Sequence, residues 1–378
     1  MKTHEIKKST LLMKNIIMYY AISIKMTILL LLSLITFSCT DDDNQPPEEN
    51  PTPKTVTVST LAGSGISGDT NSTGASAQFN YPAGVAVDAS GTIYIADGNN
   101  HKIKKISPQG EVSTLAGSGI EGDVNGSSTS AQFRLPAGVA VDGDGNIYVA
   151  DGGNNKIKKI TPNGEVSTLA GSGEQGQEDG NGADAQFEDP VDVAVDASGN
   201  IYVADSDNNK IRKITPNGNV TTLAGSGDYG FVDGTSGVAQ FTDPQGVAVD
   251  ASGNVYVADQ DNNRIRKVTP NGVVSTVAGN GGTGYVDGEA ASAQFDEPQD
   301  VAVDASGNVY VLDLNDVIRK ITPQGMVNTW AGNGISGDVD GEAASAQFNA
   351  PIRVTIDVSG NFYVADYGNH KIRKIVQQ

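Results

Sequence analysis

The sequence predicts an all-β chain folded as a six-bladed β-propeller, and three observations predict it. A Phe within an AQF motif recurs at Phe79, Phe133, Phe187, Phe241, Phe295 and Phe348, at intervals of 54, 54, 54, 54 and 53 residues. An Asp closing a YVAD-like segment recurs with the same intervals at Asp97, Asp151, Asp205, Asp259, Asp313 and Asp366. Two independent anchors, each present six times, define one repeat of about 54 residues. The third observation is composition: 46 glycines, 19% charged residues and no apolar stripe at helical spacing beyond the N-terminus. Such a chain favours short strands joined by tight turns.

The N-terminus reads as a targeting segment, residues 1–38, rather than as part of the fold. Lys2, Lys7, Lys8, Lys14 and Lys25 precede an apolar run from Ile28 to Phe37, followed by Ser38-Cys39. A basic region before a short apolar core is the pattern of a secretory signal. The basic region is long, and Met13 is an alternative translation start. Cys39 is the only cysteine, so an intrachain disulfide is impossible. The stretch LITFSC resembles a bacterial lipobox, although Thr36 stands where an aliphatic residue is usual. This resemblance implies lipid attachment at Cys39 and a cell-envelope, outer-membrane lipoprotein; plain secretion and a retained membrane anchor are the alternatives. Residues 39–54 are then a linker. Thr40 to Lys54 is acidic, Pro-rich and nearly free of apolar residues, so it cannot form a core. Its Asp41-Asp42-Asp43 triplet resembles the surface-export signal of Bacteroidetes lipoproteins, and reads equally as a solvated spacer.

Loss of residues 1–38 leaves 20 basic and 44 acidic residues, a formal net charge of −24. A surface of that sign repels phosphate backbones and anionic lipid headgroups, which excludes nucleic acid as a partner. The membrane is reached through the lipid anchor.

Residues 55–378 hold the repeat. Each copy reads as four strands: a (GVAVD), b (IYVAD), c (KIRKI) and d (VSTLAG), with a DASGN-type turn between a and b and a TPNG-type turn between c and d. In the second turn the Pro presets φ and the Gly accepts positive φ. A four-stranded antiparallel meander is one propeller blade. Strands such as Ile201-Tyr202-Val203-Ala204 are apolar on both faces, as expected of blades covered on both sides. The chain ends on a strand c, Lys371 to Ile375, and begins with an orphan strand d, Val56 to Gly63. Pairing the two closes the ring and completes the sixth blade.

Asn99-Asn100-His101-Lys102-Ile103 and Gly368-Asn369-His370-Lys371-Ile372 carry the Asn-His pair for which NHL repeats are named, and the surrounding pattern resembles NHL repeats across residues 55–378. The unit is longer than most NHL units, with the extra length between strands d and a. Copy five departs from the pattern. Its Leu314-Asn315-Asp316-Val317 segment is one residue short and lacks the Asn-Asn pair, which leaves the construction of its b–c loop open.

In a meander the d–a and b–c connections share one face, and long loops on a rigid scaffold are where binding sits. Positions constant across the copies answer to the fold. The Asp of YVAD therefore reads as structural, accepting N–H groups of the following loop, and the DASGN-turn Asp likewise. Positions that differ between copies can build a single site. Two residues after the blade-entry proline the copies read Gly84, Gly138, Asp192, Gly246, Asp300 and Arg353. Asp192, Asp300 and Arg353 are candidates for a ligand in the central channel, a divalent cation or an anionic group; an internal Asp–Arg pair in a water-filled channel is the other reading. His101 and His370, in blades that become neighbours on closure, are further candidates, as loop ligands or as hydrogen-bonded loop histidines. Two imidazoles without a third nitrogen or thiol make a poor zinc site, so no metal site is assigned. Tyr229, Phe231, Tyr285 and Tyr367 are unevenly spread loop aromatics, suited to stack on a sugar or peptide or to pack the loops.

No Ser-His-Asp set and no phosphate-binding Gly-rich motif is recognisable, so no catalytic residue is assigned. The expectation is a monomeric, non-catalytic envelope module that binds protein or glycan through the loop face. The resemblance leaves open a metal-dependent lactonase-like hydrolase or lyase with its site in the central channel. Gluconolactonase-like enzymes look to carboxylate ligands there, and Asp192 and Asp300 are the candidates. The peptidyl-amidoglycolate lyase type needs several histidines, which two cannot match.

Overall fold

The computed structural model describes residues 55–378; the segment expected to be a signal, Cys39 and the expected linker to Lys54 lie outside the described residues. Six antiparallel sheets succeed one another along the chain. Their inner a strands are Pro82–Val87, Pro136–Val141, Pro190–Val195, Pro244–Val249, Asp300–Val303 and Pro351–Ile356, which define blades 1 to 6. Each touches the next in order and the last touches the first, so the ring is closed. The closing strand is Val56–Ala62. It runs antiparallel to Lys371–Gln377, with Val56 opposite Gln377 and Ala62 opposite Ile372. Blade 6 is thus assembled from both ends of the repeat region, as its sequence requires.

The blades are richer than the four expected strands. In blades 2, 3, 5 and 6 a two-residue strand taken from the d–a loop (Gly126–Ser127, Gly180–Asn181, Gly288–Glu289, Gly341–Glu342) pairs with the outer strand. Blades 1 and 4 make single bridges there, Thr73 with Glu111 and Gly234 with Val274. The extra repeat length therefore travels outward before returning to the centre, and covers strand edges that would otherwise be open to pairing with other chains.

The core lies between blades rather than inside one. Each of six apolar clusters joins two neighbours; one contains Ala96 and Ile103 of blade 1 with Val149 and Ile160 of blade 2. The AQF Phe of the connecting loop is fully buried in each. Burial of such a ring is worth about 1.5–3 kcal/mol, so the six together anchor the loops firmly to the blades.

Candidate functional site

The constant Asp of each b strand is fully buried and accepts from the following loop through an Asn side chain, Asn100 Nδ2 to Asp97 at 2.7 Å, with the Asn315 backbone N–H added in copy five; it has two further partners that were not expected. One oxygen accepts the N–H of the residue after the AQF Phe, in the preceding loop: Asn80 at 2.7 Å for Asp97, Thr242 at 2.8 Å for Asp259. The other accepts the cation in the middle of strand c. In blade 4, Arg266 donates to Asp259 at 2.6 Å, to the outer-loop Asp233 at 2.7 Å and to the Gln240 carbonyl at 3.0 Å. Its guanidinium also lies over Phe241, 5.2 Å from the ring centre. Lys104, Lys158, Arg212, Arg319 and Arg373 repeat this arrangement. Sequence reasoning missed this fully buried cation. Its signal was present, a basic residue at a fixed position in a strand whose two faces are both covered. Burial pushes Asp151, Asp205, Asp259 and Asp313 up to about 6, against the stabilising pull of the neighbouring cations and N–H donors.

The a–b turns at the opposite face are equally constant. Asp196 accepts the N–H groups of Ser198 and Asn200 with one oxygen and the Tyr202 hydroxyl with the other, at 2.8, 2.9 and 3.0 Å. These donors hold its carboxyl below the usual range although burial opposes them.

His101 and His370 occupy a latch position. Both have left-handed backbone, φ 53°. His101 Nδ1 accepts the Leu135 N–H at 3.2 Å and His370 Nδ1 accepts the Tyr81 N–H at 3.1 Å. Each imidazole thus ties its blade to the next one's loop, at two different interfaces, and keeps only Nε2 free. Burial holds the His370 imidazole below its ordinary value, in keeping with a neutral acceptor. Asn155, Asn209 and Asn263 do the same with their amide oxygens. In the short copy five, Asp316 takes over, at φ 59°, accepting the Ala350 N–H at 2.7 Å.

Asp192, Asp300 and Arg353 do meet in the channel, all three buried. Arg353 is a cross-brace. Its Nη2 reaches the Val191 carbonyl of blade 3 at 2.9 Å, its Nη1 the Ile352 carbonyl at 2.7 Å and the Gln299 carbonyl at 3.4 Å. Its Nε stands 3.5 Å from Asp192 Oδ1. Asp192 Oδ2 accepts the Val247 N–H at 2.9 Å and Asp300 Oδ2 the Val354 N–H at 2.7 Å. The three side chains satisfy inner-strand groups that face the axis. The glycines among them make room: a Cβ on Gly138 or Gly246 would lie 2.3 or 2.2 Å from the Asp192 or Asp300 carboxylate. Burial, then repulsion by Asp192, pushes the Asp300 carboxyl well above the usual range. The plug separates a cavity of about 300 Å³ on the turn side, lined by valines and alanines of the a strands, from a hollow of about 310 Å³ on the loop face.

This donor set does not fit a divalent cation. Hard cations take six or more oxygens, whereas here Asp300 Oδ1 is the one carboxylate oxygen without a partner. Among the described residues no group of three or more His, Cys, Asp or Glu converges on a common point.

The loop-face hollow is walled by Tyr81, Leu135, Val191, Ile352 and Tyr367, with Gln245 and Gln299 opposite and Arg353 at its floor. The d–a and b–c loops thus share a face. Tyr367 packs on Tyr81, ring centres 4.7 Å apart and planes tilted by 43°. The other loop aromatics stand farther out. Phe231 covers Arg264 at 4.0 Å, while Tyr229 is 76% exposed and Tyr285 55%.

The NHL repeat matches residues 79–106, 133–160, 187–214, 241–268 and 348–375. The copy passed over is the one with the shortened b–c loop. NHL repeat-containing protein 2 of Homo sapiens is 29% identical over 334 residues, covering 78% of this chain and 46% of that protein. Suppressor of Quenching 1, chloroplastic, of Arabidopsis thaliana is 32% identical over 231 residues, covering 57% of this chain and 22% of that one. The chain thus spans less than half the length of these relatives. Among solved structures, a protein of unknown function from Bacteroides thetaiotaomicron superposes with a TM-score of 0.67 at 21% identity, covering 86% of this chain and 76% of that one. An auxiliary nutrient binding protein of the same species gives 0.64 at 18%, covering 86% and 77%. These likenesses show the fold.

Proposed function

Because the chain carries NHL repeats on a six-bladed propeller, we propose that it is a non-catalytic binding or scaffold module of the cell envelope. It is displayed from a lipid on Cys39 and recognises a protein or glycan through the loop face. The observation that carries this reading is the division of labour among the repeats. The buried Asp–cation pairs, the turn aspartates, the latches and the plug direct their hydrogen bonds to groups within the fold, and Asp300 Oδ1 is the one buried carboxylate oxygen among the described residues left without a partner. The variable side chains collect on the loop face, around a hollow with apolar walls. The likeness to an auxiliary nutrient binding protein supports the reading by analogy of fold. The alternative, a metal-dependent lactonase-like hydrolase or lyase, has its weakest point in the channel, where the plug leaves one free carboxylate oxygen.

The test has two arms. The purified chain is screened against soluble oligosaccharides and a peptide library, with loop-face substitutions at Tyr81 and Tyr229 as controls. Binding lost on these substitutions supports the module. Lactone hydrolysis that a chelator abolishes would establish the enzyme instead. Incorporation of radiolabelled palmitate that disappears in Cys39→Ala supports the anchor; label retained in that variant refutes it.

A further inference from the structure

The residue before each blade-entry proline, numbered 81, 135, 189, 243, 297 and 350, makes a lip around the loop face, and Tyr81 and Leu135 also line the hollow itself. All six have left-handed backbone, with φ between 45° and 55°. Each is held so by the latch, which takes its N–H. The side chains there divide the lip in two. Blades 6, 1 and 2 present Ala350, Tyr81 and Leu135; blades 3, 4 and 5 present Asp189, Asp243 and Glu297.

Stability accounts for Tyr81, which packs on Tyr367, and for one oxygen of Asp243, which accepts the Ser206 hydroxyl, and the Gln245 amide at 2.7 Å; it does not account for Leu135, Asp189 or Glu297. A bulky side chain at positive φ is disfavoured, yet Leu135 stands there 49% exposed. On the other half the carboxylates crowd. Burial pushes the Asp189 carboxyl up, and repulsion from Asp207, Asp243 and Glu188 adds to it. Side chains that break local rules without a structural gain point to function.

We propose that this divided lip binds a basic peptide segment of a protein partner, which seats one apolar side chain in the hollow and sets Lys or Arg against Asp189, Asp243 and Glu297. This partner class presupposes the loop-face module. The hollow of about 310 Å³ lies at the small end of organic-ligand sites and suits one anchoring side chain. A formal charge of −20 on the whole chain draws basic partners to it. A neutral glycan fits less well. It brings no cation to the acidic half, and the tyrosines at the hollow, Tyr81 and Tyr367, pack on each other, so that the exposed aromatic platforms stand farther out at Tyr229 and Tyr285.

The test uses the whole chain in detergent and a fluorescent peptide of alternating Lys and Phe, read by anisotropy at two salt concentrations. Binding is expected to weaken about tenfold between low and high salt, as screened charge pairs do. Asp189→Asn with Asp243→Asn and Glu297→Gln should weaken it about tenfold at low salt and flatten the salt dependence. Leu135→Asn should weaken it with the salt dependence intact. A charge-matched control on the turn face, Glu111→Gln with Asp144→Asn and Glu165→Gln, should change little. Absence of peptide binding, or equal loss in the lip and control variants, overturns the proposal. If oligosaccharides bind instead, and Tyr229→Ala abolishes that binding, the loop-face module stands while the basic-peptide partner falls. If neither ligand class binds, both fall.

Discussion

The buried ring of Asp97 and its equivalents and the exposed lip of Tyr81 and its equivalents are products of one repeat, six copies each. In the buried ring every copy keeps an Asp and a cation and pairs the two, at 2.6 to 3.5 Å. At the lip the backbone is just as constant, φ 45–55° six times, while the side chains run from Ala to Glu. The difference teaches where selection by the fold stops. A fully buried polar atom must be paired or it is destabilising, so each blade repeats the same solution. An exposed side chain on a fixed backbone is unconstrained, and can serve something outside the chain.

The comparison breaks most severely if the ring is opened. Deletion of residues 55–62 removes the outer strand of blade 6 and exposes Val58 and Ala62 partners in two interblade cores. A melting temperature lowered by more than about 15 °C, or no soluble protein, is expected by circular dichroism. An unchanged melt would refute the closure.

Next comes the buried pair. Arg266→Met strands the Asp259 carboxylate and should destabilise by about 3–5 kcal/mol in denaturant titration; adding Asp259→Asn should recover most of that loss. Additive losses would mean that the two residues act separately.

Acidity sharpens the same contrast. Asp151, Asp205, Asp259 and Asp313 titrate near 6 in the folded chain, above an unfolded value near 3.8. The folded state therefore holds protons that the unfolded state releases between about pH 4 and 6, and stability falls as pH rises through that window. Asp88, Asp142, Asp196, Asp250 and Asp357 are shifted down. Their contribution is lost as pH falls below about 4. Melting temperature should therefore peak near pH 4, fall through about pH 6 and stand several degrees lower at pH 8; a rise toward pH 8 would contradict the assignment.

The latch carries a smaller effect. His370→Ala should cost about 1 kcal/mol, the net value of one hydrogen bond, whereas His370→Asn, the residue of three other blades, should cost less than about 0.5 kcal/mol. Equal losses would remove the latch from the account.

Much of this was legible in the sequence because repetition is its own control. The spacing of Phe79 and Asp97 gave the blade count, and the orphan strand at Val56 gave the closure. Asp192, Asp300 and Arg353 could be marked as an asymmetry, but not as a brace, because their partners are carbonyls and N–H groups that only the ring brings together. One donor to Asp97 was missed for a related reason: the N–H of Asn80 is 17 residues earlier in the chain, and no local rule points backward across a loop. The edge-covering strands were hidden because two residues such as Gly126–Ser127 carry no strand pattern. The lip escaped notice because positive φ at Leu135 leaves no mark in its side chain.

The most direct test of the division between fold and function is the melting temperature of Leu135→Asn. Asn tolerates left-handed backbone better than Leu and loses no core contact at an exposed site. The variant is predicted to melt at the same temperature or about 1–2 °C higher, while peptide binding weakens. A melt lowered by several degrees would show that Leu135 is part of the packing, and that the lip, like the buried ring, serves the fold.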